Sequence, residues 1–287
     1  MVQFKRSWVL STCFLSGAAS IISFVSLFTQ GWINFDGRFS SQGDSDNTLS
    51  TFNYGLFGGT YYQRYGSEIA VDITMTCAYS HNICALLCAK NSDMRSKLLD
   101  DLYDGTLTSW NVRECPQTTS LTVLREKEMK VRTARLIYDS KEERIFLNAY
   151  AYLFTVIFLI ISCLLGVFSA GISVWNTASN PIEVYFNIFG LYIYNGVAFG
   201  SLLIAVMIWG IMFCSTLADH PGFILSIMGT LLTDGVSLGW SYWINMASLL
   251  LYATSIGLLY FRSVLLSREP QLKVEIEDNA PAGILLF

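Results

Sequence analysis

An all-α membrane fold is predicted for this chain: a four-helix transmembrane bundle with a long extracellular loop that is part strand, part helix. Three observations predict it. Hydrophobic residues make up 53% of the 287 residues and charged residues only 14%, well below the quarter or so that soluble domains carry. The charges are missing from four long stretches, and lysines and arginines flank those stretches asymmetrically.

A bilayer core of roughly 30 Å takes about 20 apolar residues of helix. Between Arg6 and Asp36 the only ionisable group is the Cys13 thiol. A secretory signal has a shorter apolar core and a small-residue cleavage site, so residues 8–29 read as a signal anchor and first span. No Asp, Glu, Lys, Arg or His occurs from Ile145 to Pro181, from Val184 to Ala218 or from Gly235 to Phe261. These stretches give spans at 147–175, 186–214 and 240–261. The rest divides into an N-terminal segment 1–7, a loop domain 30–146, a turn 176–185, a second loop 215–239 and a tail 262–287.

Lys and Arg in short flanks resist translocation. Lys5 and Arg6 precede the first span, and Arg262, Arg268 and Lys273 follow the fourth, so both termini are expected in the cytoplasm. Lys130, Arg132, Arg135, Lys141 and Arg144 crowd the other side of the second span. They belong to a long loop, which translocates largely regardless of charge.

Residues 37–51 are small and polar, as in a flexible connector. In 52–79, Ile69, Val71, Ile73 and Met75 alternate with other residues, the pattern of a half-buried strand. Residues 83–103 have apolar positions recurring at three and four, which predicts two short helices broken at Asn91-Ser92-Asp93. Residues 121–145 predict a charged helix running straight into the second span. The first loop also holds four of the seven cysteines, Cys77, Cys84, Cys88 and Cys115. An even number in an oxidising lumen predicts two disulfides, with three connectivities open. Their spacing matches no zinc pattern, so no metal is expected.

The expected spans carry no ionisable side chain other than cysteine and tyrosine, whereas intramembrane pumps and enzymes need such groups. His81 in the first loop and His220 beside Asp219 in the second are weak signals, and no catalytic motif is present. The chain is expected to be no enzyme and to hold no cofactor. A net charge of −4 argues against a nucleic-acid partner. Gly166 and Ala170 in the second span, with Ser169 and Ser173, and Gly196 and Gly200 in the third are spaced for close helix approach, within the bundle or in a homo-oligomer. Asn148, Asn176, Asn187, Asn195 and Asn245 are expected to cap helices or bond between them. Trp32, Trp175, Trp240, Tyr242 and Trp243 fall where interfacial aromatic belts are expected.

Five motifs in order resemble the clarin family, tetraspan relatives of the claudin-like superfamily. Tyr54-Gly55-Leu56-Phe57-Gly58 is similar to the family's YGLFRG, with Gly58 where the family has arginine. Ser169-x-Gly171 through Asn176 and Ser179-Asn180-Pro181 resembles SxGFxxxNxxSNP. Tyr192-x-Tyr194-Asn195-Gly196 is close to YxWNG, Ser241-x-Trp243 is like SFW, and the tail 280–287 resembles APxxGILF. The first loop is longer than a clarin's, and its four cysteines look like an added module.

The resemblance implies a non-enzymatic tetraspan organiser or auxiliary subunit of the plasma membrane. In that family such proteins are tied to mechanosensory hair cells, photoreceptors and the actin-linked membrane. Expected partners are the lipid bilayer and other membrane proteins. Actin-linked scaffolds are implied by the resemblance, and Leu285, Leu286 and the Phe287 carboxylate read either as a strand that adds to a PDZ-type groove or as an apolar tail that frays or lies on the membrane surface. A claudin-like adhesion protein and a channel or transporter subunit are the alternative readings.

Overall fold

The computed structural model describes residues 2–39, 49–65, 67–107, 109–111, 115, 133–135, 144–178, 184–228 and 231–268. Six α-helices occur among them: α1 (Val2–Phe28), α2 (Ser92–Asp104), α3 (Ala149–Ala178), α4 (Ile188–Met212), α5 (Ile224–Ile227) and α6 (Trp240–Arg268). Four contain segments long and apolar enough to cross a bilayer: Ser7–Phe28, Ala149–Ala178, Ile188–Leu217 and Trp240–Ser267. The expected spans at 8–29, 147–175, 186–214 and 240–261 overlap these helices, with Leu147–Asn148 in a strand instead.

The helix ends follow from short polar side chains. The Asn148 carboxamide accepts from the Ala151 amide at 2.9 Å and caps α3, and the Asn187 carboxamide accepts from the Ile188 amide at 2.6 Å at the start of α4. After Met212 the chain widens into a π-turn, Phe213–Leu217.

The four long helices form an up-down-up-down ring in which α1 packs on α3 and α6, and α4 packs on the same two. A stripe of small polar residues faces the centre. On α1, Thr12, Ser16, Ser20, Ser23 and Ser26 recur at three and four and are all buried. Ser162, Ser169 and Ser173 of α3 and Ser241, Asn245, Ser248 and Ser255 of α6 are buried as well. Lipid is as apolar as leucine, so transmembrane helices associate through close packing and hydrogen bonds rather than a hydrophobic drive. Here the Ser16 hydroxyl donates to Asn195 Oδ1 at 2.9 Å, and Asn195 Nδ2 donates to Ser169 Oγ at 2.6 Å, joining α1, α4 and α3. Nearer the first loop, Asn245 Nδ2 donates to Ser26 Oγ at 2.6 Å.

At one end of the bundle lies a seven-stranded antiparallel sheet curled into a half-barrel, which corrects the all-α expectation. Its strands are β1 (Ile33–Phe39), β2 (Leu49–Tyr54), β3 (Gly58–Tyr65), β4 (Ser67–Ala78), β5 (Ile83–Leu87), β8 (Leu147–Asn148) and β9 (Leu231–Leu238). A separate pair is formed by β6 (Ser109–Asn111) and β7 (Thr133–Arg135). Strand order is β8-β5-β4-β3-β2-β1-β9. The first loop therefore supplies six strands, and the second loop, expected to be a plain connection, adds β9 against β1.

Other expectations change with it. The strand at Ile69 to Met75 is present within β4, with Val71 and Ile73 buried. The first of the two helices expected in 83–103 is instead β5, buried along its whole length, and only α2 is helical. The polar stretch 37–51 contributes the end of β1 and the start of β2, while 40–48 lie outside the described residues. Most of the charged helix expected at 121–145 also lies outside them, but Thr133–Arg135 is strand. The second span is not entered by a continuous helix: Arg144 to Phe146 are irregular and Leu147 pairs with Cys84. Arg144 is buried and donates to the Leu102 carbonyl at 2.9 Å, neutralising the carbonyl end of α2.

One continuous cluster of buried side chains runs from the sheet into the bundle. On the inner face, Phe52 stacks on Phe35 at 4.4 Å and on Tyr61 at 4.6 Å, and Phe223 from the second loop closes over Phe52 at 4.8 Å. Trp32, placed in the aromatic belt by sequence, is fully buried at the junction, 5.3 Å from Trp209 and 6.2 Å from Tyr242. Tyr242 is likewise core. Trp175, Trp240 and Trp243 are more than half exposed, as a belt requires.

Candidate interaction site where the sheet meets the bundle

The Tyr54–Gly58 motif is the turn that joins β2 to β3. The Gly55 amide donates to the Gly58 carbonyl at 2.8 Å and closes the turn, and the Met75 amide donates to the Phe57 carbonyl at 2.9 Å, pinning it to β4. Gly55 lies against the main chain at the end of α1, where a Cβ would collide with the Thr29 carbonyl oxygen. Only glycine allows that approach. The two apolar residues of the motif then part company: Leu56 turns inward and is fully buried, while Phe57 turns outward, 42% exposed, with its ring 5.7 Å from that of Phe28.

Tyr54 is fully buried, and its hydroxyl donates to the Pro221 carbonyl of the second loop at 2.8 Å. Burial pushes its phenol well above the ordinary value. Close by, the Leu86 amide donates to the Gly222 carbonyl at 2.8 Å, and the Trp32 amide donates to the Tyr54 carbonyl at 3.1 Å. The motif thus ties the end of α1, the sheet and the second loop together.

On the outer face, beside Phe57, lies an open hollow of about 250 Å³. Gly58 is part of its lining, and a Cβ there would collide with the Ile73 carbonyl oxygen of β4. Phe28 and Phe57 line it together with Gln30, Asp72 and Thr74. Sequence reading missed this hollow; its one legible sign was Asp72, the outward residue between inward Val71 and Ile73.

The four loop cysteines form two disulfides, Cys77–Cys84 and Cys88–Cys115, with Cα atoms 4.1 and 5.0 Å apart. The first joins directly opposed residues of β4 and β5. The second ties the end of β5 to the chain beyond α2 and β6. Cys13, Cys163 and Cys214 are outside disulfides. His81 stacks on Tyr103 at 4.5 Å. Among the described residues no three His, Cys, Asp or Glu side chains gather as a metal site.

Of the expected helix-packing residues, Gly166 sits where α1, α3 and α6 meet, and a Cβ there would collide with the Tyr252 hydroxyl and crowd the Ser20 Cβ at 2.9 Å. Ala170 lies opposite Gly17, whose Cβ position is 3.8 Å from the alanine methyl. Gly196 and Gly200 have nothing within 4 Å of their Cβ positions, so the packing inside the bundle expected of them is found instead at Asn195 and Ala198, both fully buried. Leu285, Leu286, Phe287 and the turn 179–181 lie outside the described residues.

No family model matches the chain, and no curated protein matches it.

Proposed function

We propose that the chain is a clarin-like tetraspan of the plasma membrane, with both termini cytoplasmic, that organises or assists other membrane proteins through its extracellular sheet. The observation that carries this reading is the way the sheet is built. Both outer loops contribute strands to it, β1 follows directly from α1, and β8 and β9 lead directly into α3 and α6. A partner held on such a platform is held by the bundle as well. Two disulfides on the sheet side favour an oxidising, extracellular location, and Lys5, Arg6 and Arg262 near the opposite end favour a cytoplasmic one.

The claudin-like arrangement of spans and the motif Tyr54–Gly58 support the family resemblance. An organiser is favoured over a pore because Ser16, Asn195 and Ser169 bond to one another across three helices and the Tyr252 ring is fully buried between helices, its hydroxyl donating to the Ser162 carbonyl. Proximity labelling in native cells from a tag on the N-terminus tests the proposal. The expected result is a set of membrane proteins and actin-linked or PDZ-type scaffolds enriched over an unrelated tetraspan, with the scaffolds lost when residues 284–287 are deleted. A labelled set indistinguishable from the control, or ion conductance from the purified protein alone, would contradict it.

A further inference from the structure

The hollow beside Phe57 lies where the first span ends. Phe28 is the last residue of a 22-residue apolar segment, which covers roughly the 30 Å of a bilayer core. Hydrocarbon therefore gives way to headgroups at its ring. Phe24, Phe28 and Phe57 form an exposed ladder into the hollow, with ring centroids 5.0 and 5.7 Å apart.

The rest of the lining is largely polar and of mixed character. Asp72 is exposed on β4 directly across from Thr60 on β3, and no cation pairs with it among the described residues. The Thr60 hydroxyl donates to Gln30 Oε1 at 3.0 Å, which leaves the Gln30 amide N–H groups to donate elsewhere. The lining thus holds a carboxylate for a cation, an amide for an anion and two aromatic rings of the kind that hold quaternary ammonium groups. A hollow of about 250 Å³ suits a headgroup rather than a whole drug-sized ligand.

We propose that this hollow binds the headgroup of a zwitterionic, choline-bearing phospholipid of the outer leaflet. Its ammonium lies against Asp72 and the rings of Phe28 and Phe57, its phosphate accepts from Gln30, and its chains run down α1 past Phe24 and Ile21. The proposal rests on the membrane orientation given above and adds a ligand to it.

The test uses the full chain in nanodiscs of equal phosphatidylcholine and phosphatidylglycerol, followed by detergent extraction and native mass spectrometry of the retained lipid. Wild type retains phosphatidylcholine in preference, and Asp72→Asn lowers that retention about fivefold, the upper end for one exposed ionic contact. Asp72→Glu restores it. Equal retention of the two lipids, preference for phosphatidylglycerol, or unchanged retention in Asp72→Asn would overturn the assignment. So would a basic protein partner lost from native membranes in Asp72→Asn while lipid stays. If Asp72→Asn melts early in lipid-free detergent, Gln30→Met supplies the same comparison. Failure to enter nanodiscs at all would strike the membrane reading instead.

Discussion

The hydroxyl of Tyr54 donates to the carbonyl of Pro221 across 2.8 Å, a bond from the first outer loop to the second. Tyr54→Phe leaves that carbonyl without its partner and is expected to cost about 1–2 kcal/mol, read as a lower unfolding midpoint in detergent. The sign of the pH effect follows from burial. The folded phenol titrates above its unfolded value of about 10, so its contribution is full below pH 10 and is lost as pH rises beyond it. The difference in stability between wild type and Tyr54→Phe therefore shrinks above about pH 10. A constant difference across that range would contradict it.

Gly55→Val drives a side chain into the Thr29 carbonyl and forces a turn that only glycine fits. The variant is expected to be held back during folding. Surface biotinylation checks this, and normal delivery to the surface would contradict it.

Gly166→Ala and Gly196→Ala separate a crowded glycine from an open one. The first pushes a methyl into Tyr252 and Ser20 and is expected to lose about 1–3 kcal/mol. The second meets nothing within 4 Å and is expected to be neutral or to gain up to about 1 kcal/mol in helix propensity. Thermal unfolding of the two in one detergent makes the comparison, and equal losses would contradict it.

Cys88→Ser opens a disulfide that spans 27 residues and is expected to cost about 3 kcal/mol. Peptide mapping without reductant should recover Cys77 joined to Cys84 and Cys88 joined to Cys115. A Cys84–Cys88 link would contradict this account.

The four helices long and apolar enough to span a membrane were legible because charge is excluded from hydrocarbon, and the residues that bound them, such as Arg144 and Arg262, stand out. Part of β4 was legible because Val71 and Ile73 alternate with outward residues. Its neighbour β5 was not: Ile83–Leu87 is buried on both faces, with α2 and α5 packed on it, and such a run has no period to distinguish strand from helix. Strand β9 was hidden by Asp234 and Gly235, which read as loop until β1 is there to pair with. Trp32 looked interfacial by position, yet its ring packs between Trp209 of α4 and Tyr242 of α6. The serine stripe on α1 was not read from the sequence, because its meaning depends on Asn195 and Ser169, which reach it from other helices.

The most direct test of the shared outer sheet is a cysteine pair at Asn34 and Ser237, directly opposed residues of β1 and β9, in the full chain on intact cells. With the exposed free thiol removed by Cys214→Ser, the account predicts that Asn34→Cys with Ser237→Cys links spontaneously, leaves no thiol for a membrane-impermeant maleimide, and that each single variant is labelled without permeabilisation. Two free thiols in the double variant, or labelling of the single variants only after permeabilisation, would contradict it.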